Sequence, residues 1–290
     1  MNDHSQKDPQ AMTTIKLTTA QAMMRWLSVQ KTEDGDRFID GVWAIFGHGN
    51  VAGIGEALHG IGDALPTWRG QNEQTMCHAA IAYAKTKRRR RAMAVTSSIG
   101  PGATNMVTAA ALAHVNRLPL LLIPGDVFAN RRPDPVLQQI EDFEDGTVSA
   151  NDCFKPVSRY FDRISRPEHL LTCLPRAMAT LTDPQNCGPV TLAFCQDVQA
   201  EDYDFPVAFF QPRTWRIRRP EPDLSRDGKR LSARSGGHSG ALLGARHNPA
   251  YGPAHTQRFR VGHWLGYTAL LDRARVAEPV DAPGLEPGTR

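Results

Sequence analysis

The sequence predicts an α/β fold, a doubly wound parallel sheet with helices on both faces, followed by an irregular tail. Three observations carry that prediction. Residues 42–46, 92–97, 119–123 and 189–194 are short, mostly apolar runs, the pattern of strands covered on both sides. The first three lead into turns containing glycine: Gly47-His48-Gly49-Asn50, Ser98-Ile99-Gly100-Pro101-Gly102 and Pro124-Gly125-Asp126. The stretches between them carry helical spacing, and strand, turn, helix and strand in alternation indicate a parallel sheet. Ligands bind such sheets at the carboxyl ends of the strands, so Gly47, Ser98 and Gly125 are expected along one edge.

In chain order, polar residues 1–12 are expected to be a disordered extension, and the α/β domain to span residues 13–200. A helix is predicted from Thr18 to about Lys31, with Thr18 as N-cap and Ala22, Met23, Trp26 and Leu27 on its apolar side. The strand at 42–46 leads into a helix at 53–65. The next helix, residues 72–85, starts cleanly. Asn72 is a good N-cap, because its side-chain oxygen can accept from a free backbone N–H of the first turn. Met76, Ala79, Ala80, Tyr83 and Ala84 recur on one face, and Glu73 lies where the helix dipole favours a carboxylate. After strand 92–97, one long Ala-rich helix is expected to run to Asn116. Beyond strand 119–123, residues 128–155 are polar and irregular, long for a simple connection and therefore a candidate functional loop. A strand at 159–164, a helix at 167–182 and the strand at 189–194 complete the domain. Residues 201–223, with Pro206, Pro212, Pro220 and Pro222, read as a linker. From 224 to 290, Arg, Gly, Ala, His, Ser and Pro dominate. That segment reads as a disordered basic tail, or as an aberrant one of the kind produced by out-of-frame translation of GC-rich DNA.

Composition narrows the function classes. The chain has 290 residues, 41% of them hydrophobic, enough for a core, and a net charge of +4. Nowhere do about 18 apolar residues follow one another, so no membrane helix is expected. The polar N-terminus shows no secretory signal. Cys77, Cys153, Cys173, Cys187 and Cys195 are scattered, and none forms a CxxC pair. They read as reduced thiols of a cytoplasmic protein, neither a disulfide framework nor a metal site. The basic run near Arg90 closes a helix C-terminus, where the dipole favours it, and lacks the interleaved aromatics of a nucleic-acid surface. Neither nucleic acid nor membrane is an expected partner. The Gly100-Pro101-Gly102 turn lacks the lysine of a P-loop, which excludes that kind of nucleotide site.

Taken singly, the candidate site residues stay ambiguous. Glu73 is an ordinary first-turn carboxylate or a functional one. His48 is a turn histidine or a donor to a substrate oxygen. Gln138 and Gln139 are polar loop residues or substrate contacts. Taken together, FGHGN after a strand, GQNEQ opening a helix, TSSIGPGATN after the next strand and then LPLLLIPGD resemble one family. They are similar to the N-terminal pyrimidine-binding domain of thiamine diphosphate enzymes of the acetolactate synthase type, over residues 13–220. The runs at 45–51, 133–139, 155–160 and 196–198 resemble the branch that opens a cyclic 1,2-dione with water, to a 5-deoxy-glucuronate, in myo-inositol breakdown.

The resemblance implies roles. Glu73 would be catalytic, giving a proton to the ring nitrogen of the cofactor's aminopyrimidine; a partly desolvated carboxyl group suits that task because desolvation raises its pKa. Glu73, Ser98, Gly100 and Gly102 would bind the cofactor, His48 would serve catalysis and substrate, and Gln138 and Gln139 would reach the substrate. Thr75 and Cys77 stand where small residues are expected, a departure that would crowd the helix. Glu73 is expected at the mouth of a concavity bounded by residues 47–50 and 98–102, with no Lys or Arg against it. The family holds the diphosphate and Mg²⁺ in a C-terminal domain whose GDG motif is not in this sequence. The expectation is therefore a truncated chain with the pyrimidine half of the site, inactive alone, from a protein that is homo-oligomeric at full length. The alternatives are another carboligase or decarboxylase of the family, or a non-catalytic domain that pairs with a full-length partner.

Overall fold

The computed structural model describes residues 13–218 apart from 131, 134, 135, 141 and 143. The expected extension at 1–12 and tail at 224–290 lie outside the described residues. The described part falls within a single unit of the chain, residues 1–222.

Its elements in chain order are β1 (Thr14–Thr18), α1 (Thr19–Ser28), β2 (Gln30–Thr32), β3 (Ile39–Ala44), α2 (Glu56–Ile61), β4 (Thr67–Arg69), α3 (Glu73–Thr86), β5 (Ala92–Ser97), α4 (Pro101–Thr104), α5 (Val107–Asn116), β6 (Leu120–Asp126), β7 (Tyr160–Ile164), α6 (Leu170–Thr182), β8 (Pro189–Cys195), α7 (Gln196–Gln199), β9 (Asp202–Pro206) and β10 (Arg213–Trp215). Six strands form one sheet in the order β4-β3-β5-β6-β8-β7, and every neighbouring pair is parallel. Alternate side chains enter separate cores. Ala92, Ala94, Leu121 and Ile123 pack with residues of α1, α2 and α6, whereas Met93, Val95, Leu120 and Leu122 pack with residues of α3 and α5. A strand buried on both faces has no polar side to show, which is why these runs are apolar throughout.

The order places a topological switch between β3 and β5. From β3 the chain crosses the first face through α2; from β5 it crosses the other through α4 and α5. Where neighbouring connections part to opposite faces, a crevice opens outside the carboxyl ends of the strands.

Several expected boundaries move, each for a local reason. The first helix has the predicted Thr18 cap, completed by Gln21 as a capping box, but it stops at Ser28. Gln30 Nε2 donates to Trp26 O (2.8 Å), and Lys31 falls in β2. The strand expected at 42–46 is β3, which runs over 39–44. Ile45 N still donates to Thr96 O (3.1 Å), but Asn50 Nδ2 takes the Ile45 carbonyl (3.0 Å) and the ladder ends. The helix expected at 53–65 is a π-helical turn at Val51–Gly55, then α2, then a 3-10 turn at Gly62–Ala64. The helix expected to run unbroken to Asn116 is split into α4 and α5 at Asn105 and Met106.

The domain also extends past residue 200, which corrects the linker expected at 201–223. There β9 pairs antiparallel with β1 and β10 pairs parallel with β2. Phe205, Phe210 and Trp215 join the first core, and Trp215 Nε1 donates to Gln30 Oε1 (2.9 Å). Pro206 ends β9 and Pro212 precedes β10, at short edge strands, a placement that proline tolerates.

Candidate functional site

Glu73 opens α3 just beyond the carboxyl end of β4. Asn72 is its N-cap as expected, with Oδ1 accepting from Thr75 N at 3.0 Å and from Thr75 Oγ1 at 3.2 Å. Thr75 is exposed and reinforces this cap, so it does not crowd the helix. Cys77 is fully buried in the second core. Cys77 and Ile81 occupy the buried face where Ala79 and Tyr83 had been expected; those two are only half-buried. Burial, with the Glu73 charge adding to it, pushes the Cys77 thiol up, so it stays protonated at neutral pH.

The Glu73 carboxylate is half-buried and its two oxygens differ. Oε2 accepts from Asn105 Nδ2 at 2.8 Å. Oε1 lies beside Gly102, where an added Cβ would approach it to 3.2 Å. Glu73, Pro101, Gly102, Thr104 and Asn105 line an open concavity. Among the described residues no ion pair involves Glu73.

The 47–50 turn is not part of that lining. It lies over the ends of β5 and β6. Gly49 N donates to Ser98 Oγ (3.2 Å), and a Cβ on Gly125 would come within 2.6 Å of Gly49 O. Asn50 closes the turn, with Oδ1 accepting from Gly47 N (3.0 Å) and Nδ2 donating to Thr96 Oγ1 (3.2 Å). Buried Gln199 supports it from α7. Its Nε2 donates to Gly49 O (2.8 Å) and Phe194 O (3.2 Å), and its Oε1 accepts from Ile54 N (3.3 Å). Ser98 Oγ thus accepts from the turn, and the concavity is lined by residues that follow it in the chain.

His48 is not among the residues that line the concavity with Glu73. Its Nε2 is 2.8 Å from Leu137 O, and since a carbonyl only accepts, that nitrogen carries the proton. Only Nδ1 is left for another partner unless the loop moves. Gln138 is exposed with φ +58°, and its carbonyl abuts Gly100, which has φ +63°. No side chain fits at Gly100, which explains that glycine without a ligand. Gln139 is buried. Its Oε1 accepts from Phe128 N (3.2 Å), while its Nε2 has no hydrogen-bond partner.

Sequence reasoning missed Asn105, Gln199 and a charge cluster at the end of β6. Buried Asp126 accepts from Arg163 Nε (Oδ2, 2.7 Å) and from Ser149 Oγ (Oδ1, 2.8 Å), and Arg163 Nη2 donates to Asp152 Oδ1 (2.7 Å). Burial works against the Arg163 charge, but Asp126 and Asp152 outweigh it and hold the guanidinium above its ordinary value. The cluster pins residues 147–152 onto the sheet edge. Asp197 does the same for the start of the long loop, accepting from Ala129 N and Asn130 N at 2.9 Å each. The only cue in the sequence was a buried-strand motif ending in an acid.

The residues present suit a pyrimidine ring. A carboxylate oxygen borders space kept open by Gly102, and no cation competes for it. For a metal the donor set is wrong: among the described residues no three His, Cys, Asp or Glu side chains group as ligands. Also among these residues, no helix is long and apolar enough to cross a membrane.

Residues 46–145 match the family described as "Thiamine pyrophosphate enzyme, N-terminal TPP binding domain". Over 216 residues the chain is 54% identical to the 3D-(3,5/4)-trihydroxycyclohexane-1,2-dione hydrolase of Geobacillus thermodenitrificans, covering 73% of this chain and 34% of that protein. Proteins of the same name from Bacillus cereus, where it is numbered 1, and from Clostridium tetani are 53% and 54% identical over 214 residues, covering 73% of this chain and 33% of each. The chain thus spans about a third of the length of these relatives.

Proposed function

We propose that this chain is the pyrimidine-binding part of a thiamine diphosphate-dependent hydrolase that opens trihydroxycyclohexane-1,2-dione by C–C cleavage with water. One observation carries the reading: a carboxylate at a helix start beyond the carboxyl end of a sheet strand, with one oxygen tied to an amide and the other beside a glycine-walled concavity. The names of relatives more than half identical to this chain supply the substrate class.

Thiamine diphosphate supplies the nucleophilic carbon and the electron sink for the cleavage. Glu73 Oε1 exchanges a proton with the pyrimidine ring nitrogen. A carboxyl group serves because it holds or yields a proton near neutral pH once partly desolvated, and a lysine or arginine against it would fix the ionised form. The backbone of residues 100–102 forms the wall of the ring site. The 47–50 turn and residues 136–140 meet through the His48–Leu137 contact, and the Gln138 carbonyl lies against Gly100 of that wall. There His48 Nδ1, unprotonated while Nε2 donates to Leu137 O, accepts from a substrate hydroxyl, and Gln139, whose buried Nε2 is unpaired, donates to a dione oxygen. Diphosphate and Mg²⁺ are held by another domain, and the working enzyme is a homo-oligomer in the cytoplasm.

The test combines this chain with the remaining part of a relative, expressed separately, and follows dione consumption. Activity should require both parts, and Glu73→Gln should lower turnover by about 10²-fold or more, the scale of a lost general acid–base. Near-normal turnover of the variant would overturn the role of Glu73. No activity from any such combination, with both parts folded, would favour a non-catalytic pairing domain.

A further inference from the structure

A carboxylate that passes a proton to one ring atom has to present a particular oxygen. Glu73 has three rotatable side-chain bonds, and holding them costs side-chain entropy that some contact must offset. The described structure offers one polar contact for the purpose, from Asn105 Nδ2 to Oε2 at 2.8 Å, across 32 residues of sequence.

The placement of Asn105 supports a role directed at Glu73. It stands at the break between α4 and α5. Its own N donates four residues back to Pro101 O (3.1 Å), whereas Met106 N donates only three back, to Ala103 O (3.0 Å). Asparagine is a poor helix former because its amide competes for nearby backbone groups. Here the amide bonds to a different helix instead and caps neither α4 nor α5. An amide also orients a carboxylate without adding charge, so the carboxylate stays free to change protonation state.

We infer that Asn105 is a positioning residue: by holding Oε2 it turns the Glu73 carboxylate so that Oε1, beside Gly102, is the oxygen that exchanges a proton with the bound ring. This rests on the function proposed above. The titratable neighbour along α3 is Cys77, which stays protonated. His78, the next residue, faces Gln74, with 3.3 Å between His78 Nε2 and Gln74 Nε2.

The test is a ¹³C NMR titration of Glu73 in the chain itself, with its carboxyl signal assigned by its loss in Glu73→Gln. Asn105→Asp replaces a donor by a like charge and should raise the Glu73 midpoint by about one pH unit or more. Asn105→Leu removes the donor and should raise it by less. A purely structural residue would alter stability and leave the midpoint in place. Unchanged midpoints in both variants, with native spectra, would overturn the inference. Should the variants not fold, the Asn105 side-chain NH₂ signals of the unsubstituted chain should move with the Glu73 midpoint, and signals indifferent to it would overturn the inference equally. Adding thiamine separates the two proposals. If Asn105 governs the Glu73 titration but thiamine leaves the Glu73 signal unmoved at saturating concentration, the functional reading fails and the positioning contact stands.

Discussion

Gln199→Leu should destabilise the described domain by about 3 kcal/mol. The side chain is buried and makes three hydrogen bonds to backbone groups that share no other element: Gly49 O at 2.8 Å, Phe194 O at 3.2 Å and Ile54 N at 3.3 Å. Leucine fills much of the same volume, so little is lost in packing. Two carbonyls and one N–H are left buried, at about 1 kcal/mol each. A domain stable by roughly 5–15 kcal/mol loses a large fraction of its margin. With a urea slope of about 2 kcal/mol/M the midpoint falls by about 1.5 M. Urea unfolding followed by tryptophan fluorescence measures it directly. Gln199→Glu is the control. It keeps the acceptor for Ile54 N but at neutral pH sets a carboxylate against two carbonyls, which raises its folded-state pKa. Its deficit should therefore shrink as pH falls and the carboxyl group gains a proton to donate. A fall of less than about 0.5 M for Gln199→Leu would refute the reasoning, because solvent or another side chain would then be supplying the bonds.

Three further predictions concern the same edge of the sheet. Gly100→Ala should cost at least about 1–3 kcal/mol, since φ is +63° and the Gln138 carbonyl occupies the space of a Cβ; urea unfolding measures it, and a neutral result would mean that residues 136–140 are free to withdraw. Asp126→Asn should cost about 3 kcal/mol, because Arg163 keeps its charge while its most buried partner loses one. A pH series of the unsubstituted chain should show the same cluster. Burial tends to raise the Asp152 pKa, but bonds from Arg163 and Lys155 outweigh that and hold it below 3.8. Its contribution is thus present above about pH 4 and is lost as pH falls through the lower folded-state value. Asp152→Asn should flatten that acid limb, and an unchanged limb would place the acid sensitivity elsewhere.

The location of the site was legible in the sequence because glycine-containing turns follow buried strands for steric reasons that act locally. Gly49, Gly100 and Gly125 mark places where backbones meet, and the alternation of strands, turns and helices around them already implied a parallel sheet. What the sequence did not show were partners chosen across long separations. Nothing within ten residues of Asp126 tells that Arg163 will reach it, or that β9 and β10 will return to β1 and β2 through a proline-rich stretch. The concavity was misjudged for the same reason. The 47–50 turn was expected to bound it on the strength of the resemblance, but Asn50 and Gln199 hold that turn on β5 and β6, and residues within 101–105 line the concavity with Glu73. One signal was available and passed over. An asparagine in the middle of an otherwise Ala-rich helix is a local conflict with helix propensity, and such conflicts gather where a side chain has work outside its own element. The break in that helix and the hold on Glu73 are thus one feature. The residue that spoils the expected secondary structure is the residue that completes the candidate site.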